Sequence, residues 1–243
     1  MTNMISEKAK IGENVKLGNF ITVTDDVEIG DNCEIESYSY LGYSNGREKG
    51  KLVIGENSLI RSHSIFYLGS EIASGLVTGH HAIIRENSKI GKSFQLGTKS
   101  LVMGELEIGD FVRTGSNVEI GQKSSVGNYV WIYLNSALIN DKHPPSGEIV
   151  GPIIGDYSII GAHCVVMPGI EVGEDCLVGS GCFLNKDLPS EQIAVGNPSK
   201  QVGPVSKIKM SGSDKSAYPW RYRFHNGYPE KLVKKWISEA NQL

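Results

Sequence analysis

The stretch Ile84-Arg-Glu-Asn-Ser-Lys-Ile90-Gly-Lys-Ser-Phe-Gln-Leu96-Gly-Thr-Lys-Ser-Leu-Val102 places an aliphatic residue at every sixth position. Worked outward, the same step runs without a slip from Ile54 to Leu138, fifteen hexads in all. It resumes on the N-terminal side as Ile11, Leu17, Val23, Ile29, Ile35 and Leu41, and on the C-terminal side as Ile154, Ile160, Val166, Val172, Val178 and Leu184. Of these 27 first positions, 24 are Ile, Leu or Val, whereas a chain that is 40% hydrophobic would place fewer than half by chance. The second position is often glycine (Gly12, Gly91, Gly109, Gly127, Gly161), and the fifth is small or compact (Ser58, Ser64, Ser88, Ser100, Ser124, Ser158).

One large and one small inward residue per six, with turns between, is the pattern of a parallel β-helix. Three hexads make an 18-residue coil of triangular section, so segments of six, fifteen and six hexads predict about nine coils. At ~4.8 Å per strand the prism would be roughly 43 Å long. Two stretches break the ladder, 43–53 and 140–153, and each follows the third hexad of a coil. Both loops are therefore expected to leave the prism at the same corner. Cys33, Cys164, Cys176 and Cys182 all fall at the fifth position, where they read as small core fillers. Cys164 and Cys182 lie one coil apart, but a disulfide is not expected in a reducing compartment.

Composition excludes several classes. Net charge is −3 with no long basic run, so no nucleic-acid partner is expected. There is no 18-residue apolar run, and Met1 to Lys10 lack a signal-peptide pattern, so a soluble, cytoplasmic chain without a membrane span is expected. No CxxC pair or zinc-like Cys/His spacing occurs, and no metal is expected. The ladder and its closing turn occupy 1–204, and 205–243 form an aromatic tail with Tyr218, Trp220, Tyr222, Phe224 and Tyr228. Pro229 opens a predicted helix to about Asn241, with Leu232, Val233, Trp236, Ile237 and Ala240 as its apolar stripe. The tail is expected to cover the open last coil, a bare sheet edge otherwise; stacking on a nucleotide or sugar is the alternative.

The repeat over residues 11–200 resembles the hexapeptide-repeat acyltransferases. That resemblance implies a left-handed parallel β-helix, against the usual crossover hand. The run from Gly127 through Asn-Tyr-Val-Trp-Ile-Tyr-Leu-Asn-Ser-Ala-Leu-Ile-Asn-Asp-Lys to His143-Pro144 resembles the segment of maltose- and galactoside-type sugar acetyltransferases that ends in their catalytic His-Pro. Ile160-Gly-Ala-His, Gly179-Ser-Gly-Cys-Phe-Leu-Asn-Lys-Asp187 and Gly196-Asn-Pro198 resemble the segments that hold coenzyme A. By that resemblance Ala162 and Ser180 lie along the pantetheine, with Asn185 and Lys186 nearer the nucleotide. The middle of the ladder, with Thr78-Gly-His-His and Ile84-Arg-Glu, is more similar to acyltransferases acting on nucleotide-linked amino sugars. Members of the family are homotrimers with sites between neighbouring prisms.

His143, on a Pro-Pro-anchored loop, is the first candidate general base: imidazole titrates near working pH and can take a proton from an attacking hydroxyl or amine. His80 is the second. His63 and His81 are 18 residues apart and should stack, continuing a column from Phe20 and Tyr38. They read as acceptor-binding residues or as a packing edge between subunits. Asn140 and Asp141 head the loop, where they either orient the acceptor or shape the turn. Arg85 and Glu86 read as an exposed ion pair. The chain thus reads as an acetyl-CoA-dependent O- or N-acetyltransferase acting on a sugar or nucleotide-linked sugar, for surface polysaccharide synthesis. The alternatives are a γ-type zinc enzyme (carbonic anhydrase-like), which needs three histidines at a subunit interface, and a non-catalytic β-helix assembly protein.

Overall fold

The computed structural model describes residues 2–241. Strands of mostly two residues stack in parallel into three long faces. Face one begins with Met4–Ile5 and has 10 strands, face two begins with Lys10–Ile11 and has 9, and face three begins with Lys16–Leu17 and has 11. The solenoid is longer than the predicted nine coils. It starts one hexad early, at Ile5, and continues past Leu184 through a parallel bridge of Leu188 to Val172 and the strand Gln192–Val195. Ile5 keeps the six-residue step, whereas at the C-terminal end the coil shortens to 16 residues, Val172 meeting Leu188 and Val178 meeting Ala194.

Register follows the hexads: Ile84 pairs with Val102, and Val102 with Ile120. Backbone hydrogen bonds run from coil to coil, as from Ile83 N–H to Ser100 O at 3.0 Å and from Arg85 N–H to Val102 O at 2.9 Å, and first-position side chains from Val23 onward point inward to one continuous core. The fifth-position serines are buried and keep their hydroxyls on backbone carbonyls, as Ser58 does on Gly55 O at 2.7 Å and Ser158 on Gly173 O at 2.7 Å. All four cysteines are buried and free. Burial, with Cys164 alongside, pushes the Cys182 thiol up to about 11, so it is no nucleophile at neutral pH.

Both interruptions lie between a face-one and a face-two strand, Tyr40–Tyr43 to Leu52–Ile54 and Ala137–Leu138 to Ile153–Ile154. They leave at the same corner, as the hexad count requires. Beneath the first loop sits a feature the register misjudged. Glu86 is 1% exposed, with its carboxylate bound twice by Arg85, Nε–Oε2 3.1 Å and Nη2–Oε1 3.0 Å. The 43–53 loop folds over that corner, with Arg47 O and Lys49 N both bonded to Asn87, and covers what an isolated ladder would leave open.

The tail does not cover the last coil. The antiparallel strand Lys200–Pro204 pairs with Gln192–Val195 and closes that edge. The tail instead runs down the outside of face three. There the corner between faces two and three carries a stacked column, Phe111–Tyr129–Tyr157, with centroids 5.4 and 4.9 Å apart. Trp220, Tyr228 and Trp236 pack on it as a second core. The helix α1, Glu230–Ala240, buries Trp236, while Ile237 is 43% exposed and does not belong to the stripe.

Two arginines fasten the tail. Arg113 lies between the rings of Trp131 and Tyr228, and Arg221 lies over Tyr157 and is ion-paired with Asp175. Asp175 is 9% exposed. Arg221→Ala would leave that carboxylate buried and unpaired, and is expected to cost about 3–5 kcal/mol, read as a lower denaturation midpoint.

Candidate active site

The corner between faces three and one carries five of the ten predicted residues: His63, His80, His81, Ala162 and Ser180. Its fourth hexad positions have positive φ, and in four successive coils rings occupy them: Phe20, Tyr38, His63 and His81, with φ of 58, 65, 61 and 57°. A bulky side chain at such a φ is unusual. The rings stack with centroid separations of 5.0, 4.9 and 4.8 Å. Phe20 and Tyr38 are 43% and 52% exposed, so the column is open to solvent, unlike the tail-covered one. His63 and His81 meet face to face, which does not aim their nitrogens at a common point. Among the described residues no three His, Cys, Asp or Glu side chains are grouped to hold a metal.

Beside the column stands His80. Its Nδ1 lies 2.9 Å from Ser62 Oγ and 3.8 Å from Glu36 Oε2. That anchors the ring by one nitrogen and leaves Nε2 free. Glu36 itself accepts Arg61 Nη1 at 2.5 Å and Ser62 N–H at 3.1 Å. Burial acts to raise the Glu36 carboxyl, but the Arg61 hydrogen bond, the Ser62 N–H and the Arg61 and His80 charges outweigh it and hold it below its ordinary value. Ser62, Glu36 and Arg61 were missed in the sequence. The signal was available: Glu36 follows Ile35 in the hexad aligned with Ile60-Arg61-Ser62, one coil away.

Four and five coils further along the same edge, ~19 and ~24 Å from His80, are Ala162 and Ser180. The Ala162 N–H donates to Ser180 Oγ at 3.2 Å, so the two are neighbours. Beside them a Cβ on Gly181 would meet nothing within 4 Å. This end of the edge is smooth and open. Asn185 and Lys186 are not there. They follow Phe183–Leu184 and so stand across face one, towards the corner that carries the loops. Asn185 Oδ1 accepts the Ser199 hydroxyl at 3.1 Å.

His143 lies on the 140–153 loop, exposed, and on a different corner from Ala162 and His80. Asp141 shapes that loop: its carboxylate accepts His143 N–H at 3.1 Å, Ser146 N–H at 3.0 Å and the Ser146 hydroxyl at 2.6 Å. Asn140 O accepts Val150 N–H at 3.0 Å and closes the loop's neck. The loop leaves the coil whose opposite corner bears Asn135, one coil below Ala162. Within one chain, the structure thus separates His143 from the edge by the width of face one.

Face one is distinct from face two. Its outward residues in successive strands are Ile65, Ile83, Leu101, Glu119, Ala137, Val165 and Phe183. Face two at the matching positions has Glu71, Lys89, Glu107 and Ser125.

Residues 8–43 and 151–186 match the family described as bacterial transferase hexapeptide (six repeats). The matched stretches are turns of the ladder near its two ends. It is 29% identical over 189 residues to the bifunctional protein GlmU of Synechococcus elongatus, covering 72% of this chain and 39% of that one. It is 26% identical over 248 residues to the acyl-[acyl-carrier-protein]–UDP-N-acetylglucosamine O-acyltransferase of Campylobacter concisus, covering 99% of this chain and 82% of that one. A crystal structure of a UDP-N-acetylglucosamine acyltransferase superposes with a TM-score of 0.53 at 20% identity, over 99% of this chain and 88% of that one, a likeness of fold. The chain spans about two fifths of the length of the GlmU relatives it matches. No described helix is long and apolar enough to cross a membrane.

Proposed function

We propose that this protein is an acyltransferase that moves an acyl group from a phosphopantetheine thioester to a hydroxyl or amine of a nucleotide-linked sugar in the cytoplasm. The observation that carries the reading is the geometry of face one. It is apolar, and it is flanked on one side by the Ala162–Ser180 edge and on the other by the His143 loop. When three prisms turn face one inward about a threefold axis, each groove between them joins one chain's edge to the next chain's loop. His143 then comes in from the neighbour at the height of Asn135 and Ala162, and Asn185 and Lys186 enter the same groove.

In that groove the thioester arm lies along Ala162 and Ser180. The acceptor oxygen or nitrogen attacks the thioester carbonyl while His143 takes its proton. The tetrahedral oxyanion is held by backbone N–H groups and collapses, the new ester or amide forms, and the C–S bond breaks. The thiolate leaves with the proton that His143 returns. No acyl-enzyme is needed. A second reading places the proton transfer on His80, because Ser62 and Glu36 already hold its Nδ1 and leave Nε2 for the acceptor.

The donor is proposed to be acetyl-CoA, and the relatives admit an acyl carrier protein instead. The two share the phosphopantetheine arm and differ in what lies beyond it. Thiol release measured with acetyl-CoA and with acyl carrier protein, over a panel of sugars and nucleotide-linked amino sugars, separates them. Turnover is expected with acetyl-CoA and a nucleotide-linked acceptor. Turnover with free sugars alone would contradict the acceptor class, and stoichiometric zinc in the purified, active protein would favour the metal-enzyme alternative.

A further inference from the structure

Where the tail crosses face three it leaves a cleft of about 400 Å³ between itself and the solenoid. Its walls are the rings of Trp131, Tyr133, Tyr218 and Phe224, with Ile159 at the floor and Arg223 at the rim. Trp220 also lines the cleft at 7% exposure, while Tyr228 and Trp236 are packed away at 8% and 1%. Tyr133 and Phe224 stay 42% and 40% exposed. Trp131 and Tyr133 are near-parallel, with centroids 6.0 Å apart and planes 26° apart, and Phe224 stands on edge to Trp131 at 5.5 Å and 87°. This is a slot that offers ring faces to a planar guest.

The charge at its rim is equally selective. Arg113 is occupied by the Asn226 and Gly227 carbonyls and two rings, and Arg221 by Asp175. Arg223 gives its Nε–H to Ser216 O at 3.2 Å and, among the described residues, has no carboxylate partner. An unmatched guanidinium beside stacked rings fits a heterocyclic base that carries phosphate. The cleft also lies where the acceptor would need it. Tyr133 and Ile159 stand on the two strands that lead directly to Asn135 and Ala162 on the edge described above.

We infer that this cleft binds the nucleoside diphosphate of the acceptor, with the base stacked on Tyr133 and Trp131 and the phosphates at Arg223. The inference rests on the nucleotide-linked acceptor proposed above. The same chemistry is present in the adenosine phosphate of coenzyme A, whose place would be at the far end of the groove near Asn185 and Lys186.

All three tryptophans of the chain, Trp131, Trp220 and Trp236, belong to this cluster, so intrinsic fluorescence reports on it directly. The experiment titrates the full chain, without acyl donor, with UDP, dTDP, uridine and adenosine 3′,5′-bisphosphate. UDP or dTDP is expected to quench the emission saturably. Arg223→Ala is expected to weaken that binding about tenfold while leaving uridine unchanged, and Tyr133→Ala to weaken both. Arg223 is exposed, so its variant keeps the fold, checked by an unchanged melting midpoint. Tighter saturation by adenosine 3′,5′-bisphosphate than by UDP or dTDP would assign the cleft to the donor and overturn the inference. So would the lack of any saturable change, or an Arg223→Ala variant that binds as the wild type does. Binding needs no catalysis: intact transfer with an empty cleft contradicts only this inference, and nucleotide binding without any transfer contradicts only the proposed reaction.

Discussion

His143→Ala is expected to lower kcat for acyl transfer by ~10²-fold or more while the protein keeps its fold and melting midpoint. The side chain is exposed on a loop whose shape is kept by Asp141 and Ser146 through other atoms, so its removal leaves no cavity and breaks no core contact. A structural role would appear in stability, and a catalytic role in turnover and in its pH profile. His80→Ala is the paired measurement. If it, and not His143→Ala, loses the ~10²-fold, the proton is handled by the Ser62–Glu36-anchored imidazole, and the reaction centre lies some four coils from Ala162. Glu36→Gln would then lower kcat, because Glu36 accepts Arg61 Nη1 and Ser62 N–H and so holds Ser62 against the imidazole.

Leu101→Lys is expected to abolish both assembly and activity. Leu101 sits between Ile83 and Glu119 on the outward side of face one, in the middle of the apolar stripe. A lysine there is harmless to an isolated prism, since the position is only partly covered, but three such charges would meet at the axis of a trimer without counterions. Light scattering is expected to fall from the mass of three chains to that of one, with loss of transfer in step. A matching change on face two, Lys89→Glu, lies among charged neighbours and is expected to leave the mass unchanged. A wild-type chain that is monomeric at working concentration would remove the groove and the proposed site with it.

The fold was legible because its rule is local. Each first-position aliphatic side chain needs the same pocket as the one 18 residues away, so spacing alone places Ile84 over Val102 and both loops at one corner. The stacked His63 and His81, and the buried Cys33 and Cys182, follow from the same count. What escaped lay outside that rule. Glu86 was read as exposed because its cover is a loop inserted in another coil. The tail was read as a lid because the closing strand Lys200–Pro204 is antiparallel and carries no hexad. The Phe111–Tyr129–Tyr157 column that receives the tail was in the register all along, two coils deep at a fourth position, but rings there have meaning only once their cover is known. Site residues were legible as a set of corners. Ala162 and Ser180 are neighbours at one corner, whereas Asn185, Lys186 and His143 stand on the opposite side of face one, a separation that depends on which chain completes the groove.

The shared groove is tested most directly by subunit complementation. His143→Ala chains, with an intact edge, are mixed by refolding with Ser180→Trp chains, whose loop is intact and whose edge is blocked. Each variant alone is inactive on this account. In a cyclic trimer containing both, one groove in three joins a working loop to a working edge, so random mixing restores about one quarter of wild-type thiol release. Restored turnover near that level is the predicted result; a mixture as inactive as its two parents would show that loop and edge do not meet between chains, and would contradict the account.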